Sequence, residues 1–233
     1  MKAQNKNVLL FDLDGTLVDS APDLALAINR MLTDLQLPTF NQEVIRSWVG
    51  NGAQTLVERA LSGSITINPQ LDKGQLNGAL AIFLQHYQNC LCDQSALYDN
   101  VKETLLNLKA HGYRLAIITN KPEQFIGPII HGLGLNGLFE LQLGGDSLAK
   151  RKPDPLPLHH ACKVLQVSVA ECLMIGDSRN DILAAKAANM DSVGLTYGYN
   201  YGEDIALSQP EWRLENFADL LKILPSKTAT LPA

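Results

Sequence analysis

Short apolar runs recur along this chain, and the residues between them follow a helical rather than a strand period. The runs are VLLFDLD (8–14), RLAIITN (114–120), FELQLGG (139–145), CLMIGD (172–177) and SVGLTYG (192–198). Each has the length of a strand and is rich in β-branched or large apolar residues, and most close on Gly, Asp or Asn. Helical patterns fill 99–111, 122–133, 155–166 and 180–189. Pro122 and Pro155 stand near two of the helix starts, where a missing N–H costs nothing. Strands alternating with helices predict βαβ units and a mainly parallel sheet, an α/β core of the Rossmann-like three-layer kind.

The first run breaks this rhythm, because no convincing strand follows it between about 17 and 97. Ser20-Ala21-Pro22-Asp23 predicts a helix start, with Ser20 as N-cap and Asp23 in the first turn. Leu24, Ile28, Met31/Leu32 and Leu35 then continue a helical stripe. Further helical patterns run over 43–49, 53–62 and 75–91, with the loop GSITINP at 63–69. So long a helical stretch after one strand predicts an all-helical cap domain, residues 17–97, inserted into a core built from 1–16 and 98–233. The tail after Pro225, SKTATLPA, is predicted to fray.

Composition narrows the setting. The chain has 233 residues, 46% hydrophobic and 18% charged, which suits one large globular domain or two modest ones. No stretch approaches the roughly 20 apolar residues of a membrane span, and the N-terminal segment makes a poor secretion signal, so the expected location is cytoplasmic. A net charge of −5 and a pI near 5.5 argue against nucleic acid as a partner. Cysteines 90, 92, 162 and 172 lack zinc spacing and are expected to be reduced. Histidines 86, 111, 131, 159 and 160 show no ligand spacing either. No unusual apolar stripe is apparent, and a monomer is expected.

Ligands of α/β sheets bind beyond the C-terminal ends of the strands. The residues found there are Asp12-x-Asp14-Gly15-Thr16, then Thr119-Asn120, then Gly176-Asp177-Ser178-x-x-Asp181, with Lys152-Pro-Asp-Pro after the third run. In an extended segment residues 12 and 14 point the same way, about 7 Å apart. Asp12, Asp14 and Asp177 would repel one another unless a cation sits among them, and oxygen ligands without His or Cys favour Mg2+. Thr119 and Asn120 offer donors, Lys152 offers a point charge, and Gly15 leaves backbone N–H groups open to an anion. Such a set suits phosphoryl transfer, with Asp12 attacking as a carboxylate nucleophile and Asp14 moving the proton. Each piece alone has a plainer explanation. Asp-x-Asp-Gly is also a strand-ending turn, Gly176–Ser178 a loop with a helix cap, and Lys150-Arg151 a solvated basic turn. The catalytic reading gains its weight from four loops supplying compatible groups in the order one mechanism requires.

DLDGTLVDS, ITNK, KPDP and GDSRND, in this order, resemble the four motifs of the haloacid dehalogenase superfamily, and the helical insertion sits where that family carries its cap. The resemblance implies that Asp12 is the nucleophile and that Asp14 is the general acid/base, lending its carbonyl to Mg2+. It implies phosphate binding by Thr119, with Asn120 beside it, and by Lys152. Asp177 would ligate Mg2+, and Asp181 would support the metal's water shell. Dehalogenases usually lack the second aspartate and transport ATPases carry Asp-Lys-Thr-Gly, so Asp14 implies a phosphotransferase branch. The segment SWVGNGAQTLVERAL (47–61) is similar to the cap of bacterial phosphoglycolate phosphatases. On that likeness Gly50, Asn51 and Gly52 form a substrate-specificity loop opening a helix toward a small anion. Arg59 is either a helper there or a surface residue. The implied activity is Mg2+-dependent hydrolysis of a small-molecule phosphate ester, 2-phosphoglycolate first. Other small phosphate esters, a phosphomutase of the β-phosphoglucomutase type and a non-enzymatic binding module stand as alternatives. The cap is expected to move about hinges near 16–20 and 92–99.

Overall fold

The computed structural model describes residues 2–226, so all of the predicted frayed tail except Ser226 lies outside the described residues. In chain order, β1 (Val8–Phe11) and a two-residue strand β2 (Val18–Asp19) lead into four helices. These are α1 (Ala21–Asp34), α2 (Gln42–Arg46), α3 (Ala53–Ser62) and α4 (Lys73–Gln88). The two-residue strand β3 (Ala96–Leu97) leads back to α5 (Val101–Ala110), β4 (Arg114–Ile118) and α6 (Ile126–Gly132). After them come β5 (Leu141–Leu143), α7 (Leu156–Leu165), β6 (Cys172–Gly176), α8 (Arg179–Ala187), β7 (Asp191–Leu195), β8 (Trp212–Leu214) and α9 (Leu220–Ile223).

The main sheet is parallel, in the order β5-β4-β1-β6-β7-β8. Both faces are covered, which is why its strands read as unbroken apolar runs rather than alternating ones. Leu9, Phe11, Leu115, Ile117, Leu173 and Ile175 face one core, shared with α5, α6, α9 and the helical insert. Val8, Leu10, Ala116, Ile118, Cys172 and Met174 face the other, under α7 and α8. The α/β three-layer arrangement with a mainly helical insert is as the sequence pattern predicts. In register, Phe11 lies opposite Ile117 on β4 and Ile175 on β6. The segments just past these three neighbouring strands therefore emerge side by side, at the point where the chain order reverses.

The expected absence of strand between 17 and 97 needs correcting. Val18 pairs with Leu97 and Asp19 with Ala96, so a short antiparallel ribbon lies where the chain enters and leaves the insert. Two-residue strands are too short to show a period. The junction is tightened by the buried Asp23 carboxylate, which accepts from Gln94 N (2.9 Å), Ser95 N (2.9 Å) and Ser95 Oγ (2.5 Å). Strand β8 also departs from the apolar pattern, because at this sheet edge Trp212 and Leu214 are half-buried and Arg213 is exposed. Ser20 occupies the N-cap position of α1 but its hydroxyl does not cap the helix. The phenol oxygen of Tyr199 takes that role, accepting from Ser20 N (2.8 Å) and Ala21 N (3.0 Å), while the Ser20 hydroxyl donates to Asp14 (2.6 Å). All four cysteines are free. Among the described residues no helix is long and apolar enough to cross a membrane.

Candidate active site

Asp12 stands one residue past β1, its backbone N–H still donating to Ile175 O on β6 (3.0 Å). Its carboxylate accepts from Leu13 N (2.7 Å) and pairs with Lys152 Nζ at 3.2 Å. Lys152, 2% exposed, also donates to Asp181 (2.6 Å) and to the carbonyl of Ile118 at the end of β4. Asp181 has no exposure and closes a capping box at the start of α8, accepting from Ser178 N (3.0 Å) and Ser178 Oγ (2.8 Å). Asp177, one residue past β6, accepts from Thr16 Oγ1 and Tyr199 N, each at 2.7 Å. The buried Thr119 hydroxyl lies beside Asp12.

The electrostatics follow from this crowding. Burial pushes the Asp12 carboxyl up to about 7, with Lys152 pulling it down and Asp181 pushing it further up. Burial likewise lifts Asp177 to about 8, reinforced by Asp181 and Asp12. Burial disfavours the Lys152 ammonium, but Asp12 and Asp181 outweigh it and hold its pKa above the ordinary lysine value. One buried ammonium thus faces several acids, and the local charge is short of a cation. Asp12, Asp177 and Asp181 each offer a carboxylate oxygen, and these atoms all lie within 4.8 Å of one another. An all-oxygen donor set this compact, under mutual repulsion, fits a hard divalent cation such as Mg2+.

The Asp14 side chain lies outside that cluster. Its carboxylate is held by Lys121 Nζ at 2.9 and 3.0 Å and by the Ser20 hydroxyl. Lys121, buried to 4% exposure, is a site residue the sequence pattern missed. It is the last residue of the ITNK motif, one position beyond the strand-end pair Thr119-Asn120. Gly15 differs from the expectation in another way. Its N–H donates to Val18 O (2.9 Å) and is not open to an anion. What demands glycine here is space and conformation: φ is +85°, and a Cβ would lie 2.3 Å from the Asp177 carboxylate. Gly15→Ala is expected to cost more than the ~1 kcal/mol of an ordinary substitution. Urea denaturation would measure it, and a wild-type midpoint would refute the close approach.

The cap loop reaches the same rim. Gly50, Gly52, Ala53 and Leu56 border one pocket together with Asp12, Asp14, Thr119 and Lys121. The Gly50 carbonyl accepts from Asn120 Nδ2 (3.1 Å) and from Asn180 Nδ2 (3.0 Å), a residue not singled out from sequence. Asn120 gives its second amide hydrogen to Lys152 O (2.9 Å). Its side-chain donors therefore hold the cap loop and the Lys152 turn, and they are not available to a phosphate as expected. At Gly50, with φ +123°, a Cβ would lie 2.5 Å from the Tyr201 hydroxyl. Arg59 is buried, not a surface residue, and donates to Trp48 O (2.5 Å) and Asn51 Oδ1 (2.9 Å), fixing the loop's shape. Its guanidinium and that of Arg179 lie 5.4 and 4.8 Å from the Tyr201 ring centre. Arg151 is exposed, as the sequence reading has it, and also donates to Thr55 Oγ1 on the cap (3.3 Å).

A parallel sheet with a helical insert after its first strand and an acidic rim at its switch point defines a known class of hydrolase. The chain belongs to the haloacid dehalogenase-like hydrolases, whose family model matches residues 9–195. A phosphoglycolate phosphatase from Colwellia psychrerythraea is 65% identical over 221 residues, covering 95% of this chain and 98% of that one. The phosphoglycolate phosphatase of Psychrobacter arcticus is 47% identical, covering 94% of this chain and 96% of its own. Among solved structures, a predicted phosphoglycolate phosphatase from Haemophilus somnus superposes with a TM-score of 0.88 at 43% identity, covering 94% of this chain and 98% of that one.

Proposed function

We propose that this chain is a Mg2+-dependent phosphomonoesterase that hydrolyses 2-phosphoglycolate to glycolate and phosphate. The observation that carries the reading is the opposite tethering of two carboxylates in one pocket. Asp12 is drawn toward Lys152 and the acidic cluster, and Asp14 is drawn toward Lys121 and the cap side. In this reading Asp12 attacks and Asp14 handles a proton.

In this proposal an Asp12 carboxylate oxygen forms a bond to phosphorus as the bond from phosphorus to the ester oxygen breaks. Asp14 gives the departing alkoxide its proton and then takes one from the water that attacks the aspartyl-phosphate. Thr119 and Lys152 hold the phosphoryl oxygens. Mg2+, held by Asp12, Asp177 and the Asp14 carbonyl with Asp181 supporting its water shell, would supply positive charge for the phosphoryl group. Residues 17–97 act as the cap over a core of 1–16 and 98–233, and the Gly50-Asn51-Gly52 loop presents the start of α3 to the substrate's carboxylate. Closure is read in the grip of Asn120 and Asn180 on the Gly50 carbonyl. The relatives named phosphoglycolate phosphatase support the choice of substrate.

The test is phosphate release from a panel of small phosphate esters with Mg2+ and with chelator. The expected result is metal-dependent turnover with a preference for 2-phosphoglycolate of at least about tenfold, equivalent to about 1.4 kcal/mol. Turnover spread evenly over the panel would keep the chemistry and remove the substrate. No release from any ester would leave the phosphomutase or the binding module.

A further inference from the structure

Tyr87, on α4, is the largest fully buried side chain among the described residues. Its ring packs against Phe83, 5.7 Å away and nearly parallel, and edge-on to Phe125 at 5.0 Å. The Lys121 ammonium lies 4.6 Å from its ring centre. The Tyr87 hydroxyl is buried and meets no hydrogen-bond partner among the described residues. Burying a hydroxyl without a partner is unfavourable, and phenylalanine would fill the same space without that cost. The hydroxyl therefore calls for a partner from outside the chain.

Its position says where that partner would lie. Tyr87 borders the pocket that holds Asp12, Asp14, Thr119 and Lys121, entering from the cap side. The other cap side chains there, among them Leu24, Val49, Leu56 and Phe83, are apolar and can give an anion nothing. Burial, with Asp14 and Asp23 nearby, holds the phenol well above its ordinary pKa, so it remains a donor. The ammonium of Lys121 stands beside it and makes an anionic acceptor the favourable one.

We propose that Tyr87 is a specificity-determining residue that donates a hydrogen bond to the substrate's carboxylate, at the end away from the phosphoryl group. The inference rests on the reading of 2-phosphoglycolate as substrate and adds the side chain that recognises it. A neutral tail of the same length would lack the charge that makes this contact strong.

The experiment compares kcat/KM for 2-phosphoglycolate and for ethyl phosphate, which has the same length and no carboxylate, in wild type and in Tyr87→Phe. The preference for 2-phosphoglycolate is expected to fall about tenfold in the variant, mainly through a higher KM, as loss of one charge-assisted bond implies. An unaltered preference, or an equal loss on both esters, would overturn the role of Tyr87. If the wild type itself shows no preference, the substrate reading fails and the inference goes with it. Should Tyr87→Phe lose its fold, Tyr87→Met, also apolar and without a hydroxyl, gives the same comparison.

Discussion

Asp12→Asn is expected to lower turnover by at least ~10³-fold while leaving the fold intact. Asparagine preserves the shape and retains an oxygen for the Leu13 N–H and Lys152, but it cannot displace an alkoxide from phosphorus. The stability of the same variant carries a second and opposite expectation. In the metal-free protein the Asp12 carboxyl titrates near 7 and that of Asp177 near 8, both raised chiefly by burial. Between the ordinary carboxylate range and those values the native state binds more protons than the unfolded chain. Their contribution to stability is therefore fully present below about pH 4 and is lost as pH rises through 7 to 8. At pH 8 Asp12→Asn removes one of the strained charges and should stabilise the chelated protein by an amount on the order of 2–4 kcal/mol. Near pH 4 the gain should vanish. Urea denaturation at both pH values, beside a phosphate-release assay, reads all of this. Retained turnover would sink the nucleophile assignment, and a stability change independent of pH would sink the picture of crowded buried acids.

Much of this arrangement is legible along the chain, and the reason is local. Asp12, Thr119-Asn120 and Asp177 each end a strongly apolar run, so their place at a sheet rim follows from the pattern alone. That the three runs become neighbours follows from parallel βαβ connectivity. What the pattern cannot show is which side chain answers which. Lys121 and Lys152 are both lysines close to strand or loop ends, yet the first holds Asp14 and the second holds Asp12 and Asp181. Tyr199 caps α1 from nearly the other end of the chain, a contact no helix-start rule contains. Asn180 and Tyr201 meet Gly50 only because the insert folds down on the rim. These are long-range polar contacts, and sequence patterns of period two or 3.6 carry no information about them. The ribbon β2–β3 and strand β8 were missed for a simpler reason, being two or three residues long and without apolar runs.

Lys152→Met should cost both activity and stability, and the way it costs stability depends on pH. The ammonium is the cation shared by Asp12 and Asp181, at 3.2 and 2.6 Å, and all three are buried. Removing one member of a buried ion network leaves uncompensated charge, typically costing about 3–5 kcal/mol. Methionine keeps most of the volume, so the loss is electrostatic rather than a cavity. The Ile118 carbonyl also loses its donor, which loosens the end of β4 just before Thr119. Asp12 would then lack the lowering influence of Lys152 and hold its proton to higher pH. The deficit should thus be largest at pH 7.5 and shrink toward pH 5, where Asp12 and Asp177 are protonated without help. Adding Asp181→Asn should recover part of the stability at pH 7.5, because the orphaned charge is removed, and none of the activity. Equilibrium unfolding of the single and double variants at the two pH values decides the matter. A deficit that stays constant with pH, or a double variant no more stable than Lys152→Met, would mean that Lys152 supports the fold by packing and not by balancing the acids around it.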